Sequence, residues 1–443
     1  MTLSSENATG SKGLDVSADR HRAIADLVRA PASLLPSWPF TALFALLPVW
    51  WLIGAIDFIW FAAAAVMGLY LLRSRAVSVP RGFGFWLLFI IWSSFAAVHL
   101  DTLSRLVGFT YRQLLYVAAT VIFLYLYNAR RHITSRRIAG TMTVYWLTTV
   151  AGGYLGLLFP TGSLRTPLSY LMPSGLLNNE LVNLMVVRTF AQFDPEAWGD
   201  TAPRPTAPFH YTNNWGNAYS MLLPFVLLYL IQIRGQRRFW LLLTALPISL
   251  VPAFLTLNRG MFIGLAIALV YAAVRLALQG HRVGVAVIAL AGLAAALVFI
   301  LTPAQERLSD RLESSSSTTT RASTYSKTWE ETKESPIFGH GAPRPSQNPN
   351  APPIGSQGHF WIVLFSFGIG GALLFVGWFA AAFIGTIKRP DPVGLTCNTV
   401  LAVALVELFY YGLLPYGLPI IVTAAALGLR PLERAVPAAR PTG

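Results

Sequence analysis

The chain has one cysteine, Cys397, and very little charge. A single cysteine excludes an intrachain disulfide and a cysteine-rich metal site. Asp, Glu, Lys and Arg make up 12% of the residues, where soluble domains average about 25%. No internal repeat of roughly 20–50 residues is visible. The opening "MTLSSENATGSKGLDVSADRHRAIADLVRA" has no short apolar core with a small-residue cleavage site, so it reads as a cytoplasmic tail rather than a signal peptide. Within it, "RHRAIADLVRA" is either an amphipathic helix on an anionic leaflet or a solvated start.

Apolar residues are abundant instead, at 54% of 443. They recur in runs long enough to cross a bilayer, which takes about 17–25 residues. The expected fold class is therefore an all-α polytopic integral membrane protein. Twelve spans are expected, at 38–55, 57–72, 84–100, 107–127, 138–158, 215–233, 239–257, 260–277, 284–301, 359–386, 394–411 and 415–430. With both termini (1–37 and 431–443) placed in the cytoplasm, the inner connections are "RSRAVSVPR", "NARRHITSRR", "IRGQRR", "RLALQGHR" and "IKRPDP". Inner segments then hold 21 of the 33 Lys and Arg against six acids, and outer segments hold 12 against 11 acids. That is the positive-inside bias. The net charge of +14 is explained by topology and calls for no nucleic-acid partner.

Two outer connections are long, 159–214 and 302–358, and long connections in a compact protein are functional or disordered. The first contains "SGLLNNELVNLMVVRTFAQF", whose helical apolar spacing (Leu176, Leu177, Leu181, Leu184, Met185, Phe190) predicts a helix on the membrane surface. The second contains "RASTYSKTWEETKESPIFGHG", which predicts a helix from Arg321 to Lys333, stopped by Pro336 and the Gly339–Gly341 turn. A Pro/Asn-rich tether then leads to His359 at the start of the tenth span.

Arg259 is the only charged side chain between Phe239 and Val274. A guanidinium at the bilayer centre costs at least ~2.5–3.5 kcal/mol. Within "LTLNRGMFIG" it falls instead at the outer mouth of a helical hairpin, where it either snorkels or grips a ligand.

The order of features resembles the O-antigen ligase and polymerase family of bacterial envelope proteins. These features are "NRG" at the outer end of a span, then a large penultimate outer loop with Arg, Trp and "SPIFGHG", then a His just before "FWIVLFSFGIGGALLF". The resemblance covers residues 205–375 in motif detail and the rest in span pattern. It implies a C-type membrane glycosyltransferase of the bacterial cytoplasmic (inner) membrane with its active site on the outer face. Such an enzyme moves a glycan from an undecaprenyl-pyrophosphate carrier to a hydroxyl acceptor, with no nucleotide sugar, metal or other cofactor. The acceptor hydroxyl is carried by a glycan, a lipid or a protein, making the enzyme a polymerase, a ligase or a protein O-oligosaccharyltransferase. Carried over by position, Arg259 and Arg321 hold the pyrophosphate and His359 assists acceptor attack or the departure of the leaving group. Two features depart from the family pattern: His359 is followed by Phe360 and Trp361 rather than Asn, and His340 competes for its role.

The residue types suit that chemistry. Breaking the bond between an anomeric carbon and a pyrophosphate oxygen builds negative charge on the leaving group. Arginine never deprotonates and presents a planar fork to phosphate oxygens, so two arginines at a partly dry interface do what a divalent cation does elsewhere. The outer segments contain no Asp-x-Asp pair, the usual metal bridge to a pyrophosphate. An acceptor hydroxyl wants a nearby base, and histidine is the usual one.

Other polar residues carry open alternatives. In "FHYTNNWGNAYSMLLPF", His210, Tyr211, Asn213, Asn214 and Trp215 either contact sugar rings or form an interfacial aromatic belt. Glu407, in the outer half of the eleventh span, either neutralises an arginine or takes part in acceptor binding, with the first favoured. Asp57, between the first two spans, caps the second or acts as the base of a transferase that uses a polyprenyl-monophosphate sugar. A twelve-span transporter or flippase is a further alternative. It predicts repeats, broken helices in matching places and polar groups near the midplane, and neither repeats nor a midplane cluster is found in the sequence.

Overall fold

A computed structural model of the chain describes residues 35–74, 76–178, 180–193, 203–301, 317–346 and 351–431. The expected amphipathic stretch near the start, "PAQERLSDRLE" and the final tail lie outside the described residues.

Each expected span coincides with helix. In chain order these are α1 (Trp38–Ala45), α2 (Leu47–Ile53), α3 (Ile59–Leu72), α4 (Phe83–Phe95), α5 (Leu103–Asn128) and α6 (Ser135–Leu158). After the first long connection come α7 (Thr212–Gln232), α8 (Arg237–Leu255), α9 (Arg259–Leu278) and α10 (Arg282–Leu301). The second long connection contains α11 (Ser317–Thr332), followed by α12 (His359–Ile387), α13 (Pro392–Glu407) and α14 (Gly417–Gly428). Five of them, α5, α8, α9, α10 and α12, are long and apolar enough to cross a membrane by length and composition. The first span is two helices, α1 and α2, joined at Leu46.

The core is built around α7, which packs on α6, α9, α13 and α14. All twelve residues of α14 are buried, whereas α10 is peripheral and leans on α9. Pro224, Pro247 and Pro252 sit inside helices, as membrane helices tolerate when neighbours take up the freed backbone groups. Hydroxyls that a core would otherwise strand donate to carbonyls one turn back, as Thr143 does to Ala139 (2.8 Å) and Thr423 to Pro419 (2.7 Å). At the basic end, Arg389 donates to the Leu427 carbonyl (3.0 Å) and Arg430 Nε to that of Leu126 (3.2 Å). These cations cap carbonyls near helix C-termini, where the dipole favours them.

Three features differ from expectation. The segment 174–193 is not one surface helix. It holds two short helices, Ser174–Leu177 and Glu180–Val186, and then strands Val187–Thr189 and Ala191–Gln192. These strands pair antiparallel with Ser163–Arg165 and Arg204–Pro205. The two asparagines of "LLNNE" and the β-branched run "VVRT" favour that break over a continuous helix. The eleventh span ends at Glu407 rather than 411, leaving an irregular segment, 408–416, "LFYYGLLPY". Gly412 and Pro415 account for its failure to continue as helix.

The third difference concerns the tenth span. Gly368 has φ 70° and ψ −174° inside α12. In a continuous helix His359 and Phe375 would be about 24 Å apart, yet their ring centroids are 5.2 Å apart. The piece 359–367 therefore doubles back on the piece after Gly368, forming a helical hairpin. The motif "SPIFGHG" clasps its tip. Ile369 N–H donates to Pro336 O (2.8 Å), while His340 and Gly341 N–H donate to Phe365 O and Ser366 O (both 2.8 Å). Trp92 Nε1 donates to Phe367 O (3.0 Å). The carbonyls orphaned at the short helix's end are thus satisfied by protein. A Cβ at Gly368 would lie 2.2 Å from Ile337 O, so only glycine admits this approach.

Candidate active site

The irregular segment 408–416 is where the expected residues meet. The His359 N–H donates to Tyr411 O (2.7 Å) and the Phe360 N–H to Leu408 O (2.8 Å), so this segment satisfies the first amides of the hairpin. On another side, Tyr411 Oη donates to Asn258 Oδ1, and Tyr410 Oη donates to Gly260 O (3.2 Å). Asn258 Nδ2 donates to Thr212 O at the start of α7 (2.9 Å). "NRG" thereby acquires a physical meaning: Asn258 pins the start of α9, Gly260 lets two tyrosines approach, and half-buried Arg259 is held between them.

Arg321 arrives from α11. Thr324, Thr328 and Thr332, four residues apart, are buried on one face of that helix. Thr328 Oγ1 accepts from Gly355 N–H (3.1 Å), and Tyr325 stacks on Trp361 of the hairpin at 4.8 Å. This docking brings the Arg321 charge within electrostatic reach of Tyr411 and Tyr325. Residues that lie far apart in the chain thus converge on Tyr411: Asn258 and Gly260, which flank Arg259, the backbone of His359, and the charge of Arg321.

His359 is 1% exposed. Its Nδ1 accepts from the Leu413 N–H (3.3 Å) and its Nε2 lies 3.0 Å from Tyr116 Oη. With Nδ1 an acceptor, the neutral ring carries its proton on Nε2 and donates to Tyr116. His340 is buried as well. Its Nε2 donates to Glu331 O (2.9 Å), its ring lies 4.6 Å from Phe365, and burial pushes its pKa below the usual histidine range. It braces the end of α11 against the hairpin tip.

The expected sugar contacts separate. Trp215 is fully buried, donates from Nε1 to Thr149 O (2.8 Å) and stacks on Tyr219 at 5.0 Å. Its ring is a core element with no face left for a sugar. Tyr211 is 48% exposed and Asn214 is half-buried. Both sit at the start of α7, with Asn214 N–H on Tyr211 O (3.0 Å).

His210 belongs to a second polar centre. Its Nε2 donates to Asp57 Oδ1 (2.9 Å), Tyr416 Oη donates to the same oxygen (2.6 Å), and Arg188 Nη2 donates to Asp57 Oδ2 (3.1 Å). Burial alone would raise the Asp57 carboxyl, but His210 and Arg188 with Tyr416 hold it down at about 2. Asp57 is thus neither helix cap nor available base. The N-cap of α3 is Phe58, and both Asp57 oxygens are occupied. Arg188, on a short strand of the first long connection, went unnoticed because its carboxylate partner lies 131 positions away.

Glu407 corrects the expected arginine partner. Its Oε2 accepts from Asn217 Nδ2 and its Oε1 from Ser220 Oγ, both at 2.6 Å. Among the described residues no cation pairs with it. Two neutral donors on α7 suffice because both oxygens are satisfied.

Tyr410, Tyr411, Tyr116 and Arg112 were also missed. Arg112 carried a usable signal, the same one that singled out Arg259: an arginine inside an apolar span. Among the described residues, no three of His, Cys, Asp and Glu are grouped to hold a metal ion.

Residues 244–376 match the family model described as O-antigen ligase. The matched stretch contains Arg259, Arg321, His340, His359 and the hairpin turn at Gly368. It leaves out α5 and the Asp57 centre. No curated protein matches the chain.

Proposed function

We propose that this member of the O-antigen ligase family transfers a glycan from an undecaprenyl-pyrophosphate carrier to a hydroxyl acceptor at the outer face of the bacterial inner membrane. The family match supports a glycan-transferring membrane enzyme. One observation carries the finer reading: the "NRG" turn that bears Arg259, the helix that bears Arg321 and the start of the hairpin at His359 come from three elements to meet at Tyr411. The basic connections lie at the opposite ends of the helices, which supports twelve spans with both termini cytoplasmic and the site outside.

In this scheme the acceptor oxygen attacks the anomeric carbon, the carbon–oxygen bond to pyrophosphate breaks, and the two guanidiniums receive the charge that develops on the leaving group. Preorganised arginines supply this stabilisation from the chain's own residues, with no cofactor. Loss of one such donor costs on the order of 10²–10³ in rate. His359 assists the acceptor; taking its proton requires the longer of its two contacts, the 3.3 Å Leu413 N–H, to open and free Nδ1. A second reading is favoured by the burial of that ring: His359 pins the hairpin to Tyr116 and the 408–413 segment. The rival in which Asp57 is the base is disfavoured by the occupation of both its carboxylate oxygens.

The test is a size profile of surface and carrier-linked glycan in cells carrying Arg259→Ala at equal protein level. Collapse to single repeat units on the carrier identifies a polymerase. Long chains that persist on the carrier identify a ligase, or a protein O-oligosaccharyltransferase if the missing product is a glycoprotein. Unchanged pools refute the clamp. A transporter would instead fail to display lipid-linked substrate outside.

A further inference from the structure

Arg112 is a cation that the scheme above leaves unused. It stands on α5 four residues before Tyr116, so the two side chains share a face. Tyr116 holds His359 Nε2 at 3.0 Å, and the Arg112 charge reaches both Tyr116 and His359. The contrast with Arg105, two turns earlier on the same helix, is direct. Arg105 pairs with Asp101 (2.5 Å) and donates to His340 O (2.5 Å) and Ala342 O (2.9 Å), fastening the second long connection to the bundle. Arg112 has no hydrogen bond or ion pair among the described residues, and its Nε is sealed from solvent with no acceptor. Its guanidinium folds back along α5, with Nη1 and Nη2 both 3.8 Å from where a Cβ on Gly108 would sit.

A largely shielded guanidinium without a carboxylate or carbonyl is unfavourable on its own. Its Nε is sealed without an acceptor while Nη1 and Nη2 keep some exposure, and a planar fork suits phosphate oxygens. Its neighbours on the ligand side are Tyr116 and His359, which supply no negative charge. We infer that Arg112 is a third diphosphate-binding arginine, holding the lipid-linked donor's phosphates from the Tyr116–His359 side while Arg259 and Arg321 hold them from the Tyr411 side. The inference rests on the reading of the site as a lipid-pyrophosphate clamp.

The test uses the full chain in nanodiscs and three probes that share one polyprenyl tail: the pyrophosphate, the monophosphate and the free alcohol. Native protein binds the pyrophosphate more tightly than the alcohol. Arg112→Gln weakens pyrophosphate binding by about ten- to hundredfold, the value of one or two charge-assisted bonds, and leaves alcohol binding unchanged. Arg112→Lys, which keeps the charge but loses the fork, falls between. If Arg112→Gln binds the pyrophosphate as tightly as native protein does, or loses both probes equally, Arg112 is not a phosphate ligand. If native protein shows no preference for pyrophosphate over alcohol, the clamp reading itself fails and this inference falls with it.

Discussion

Gly260→Ala tests whether two tyrosines set the position of Arg259. Gly260 is the second residue of α9. A Cβ there would lie 2.6 Å from Tyr411 Oη and 2.8 Å from the Tyr410 ring. Neither ring can yield cheaply: Tyr411 is 1% exposed, with its hydroxyl on Asn258 and its carbonyl on the His359 amide. Taken alone, glycine to alanine in a helix stabilises by roughly 0.5–1 kcal/mol. Overpacking a tight contact costs about 1–3 kcal/mol, and loss of the Tyr410–Gly260 bond adds about 1 kcal/mol. The overlap wins, and the net destabilisation is about 1–3 kcal/mol. Under the proposed clamp, activity falls further than stability, because displacing Arg259 by an ångström would cost on the order of 10²-fold. Thermal unfolding of purified protein and glycan-transfer turnover are measured side by side. A Gly260→Ala protein that melts higher than native and transfers at the native rate would falsify the packing argument, since α9 would then not be seated by those tyrosines.

Three further outcomes follow from the geometry. Asp57→Asn leaves buried Arg188 without its carboxylate and destabilises by ~3–5 kcal/mol. Because the folded carboxyl is held near 2, it contributes stability above its ordinary value near 3.8 that is lost as pH falls through 2. Native melting therefore drops below pH 4, and the Asn variant's profile is flatter there. Trp215→Phe removes the Nε1 bond to Thr149 O and leaves a void where the larger ring packed on Tyr219, lowering the melting temperature by the equivalent of about 1–3 kcal/mol; a raised KM for glycan at unchanged melting would show instead that the ring meets sugar. For His359→Ala, a protein that melts and binds carrier as native does but has lost turnover supports acceptor assistance. Loss of melting temperature and carrier binding together supports the pin.

How much of this was legible depends on how far apart the interacting residues lie in the chain. Helix positions were legible because the period of apolar residues is local, and the basic connections were legible because charge counts need no partner. "NRG" and "SPIFGHG" were visible as motifs, but their work was not. One admits Tyr410 and Tyr411 from 150 positions away, and the other clasps a hairpin whose only local mark is Gly368 among several glycines of an apolar run. Glu407 and Asp57 show the same limit in opposite directions. Both are fully buried acids, and sequence reasoning proposes a cation for Glu407 but a cap or a base for Asp57. Asp57 has the cation, from a strand within a connection whose apolar spacing had argued for helix. Glu407 has none among the described residues and is satisfied by an amide and a hydroxyl. The type of partner follows from which elements pack there. At Glu407 that element is α7, a core helix that supplies neutral donors, and at Asp57 it is a strand that carries an arginine inward. A buried acid in such a chain thus predicts that it is satisfied, and only the packing decides whether by charge.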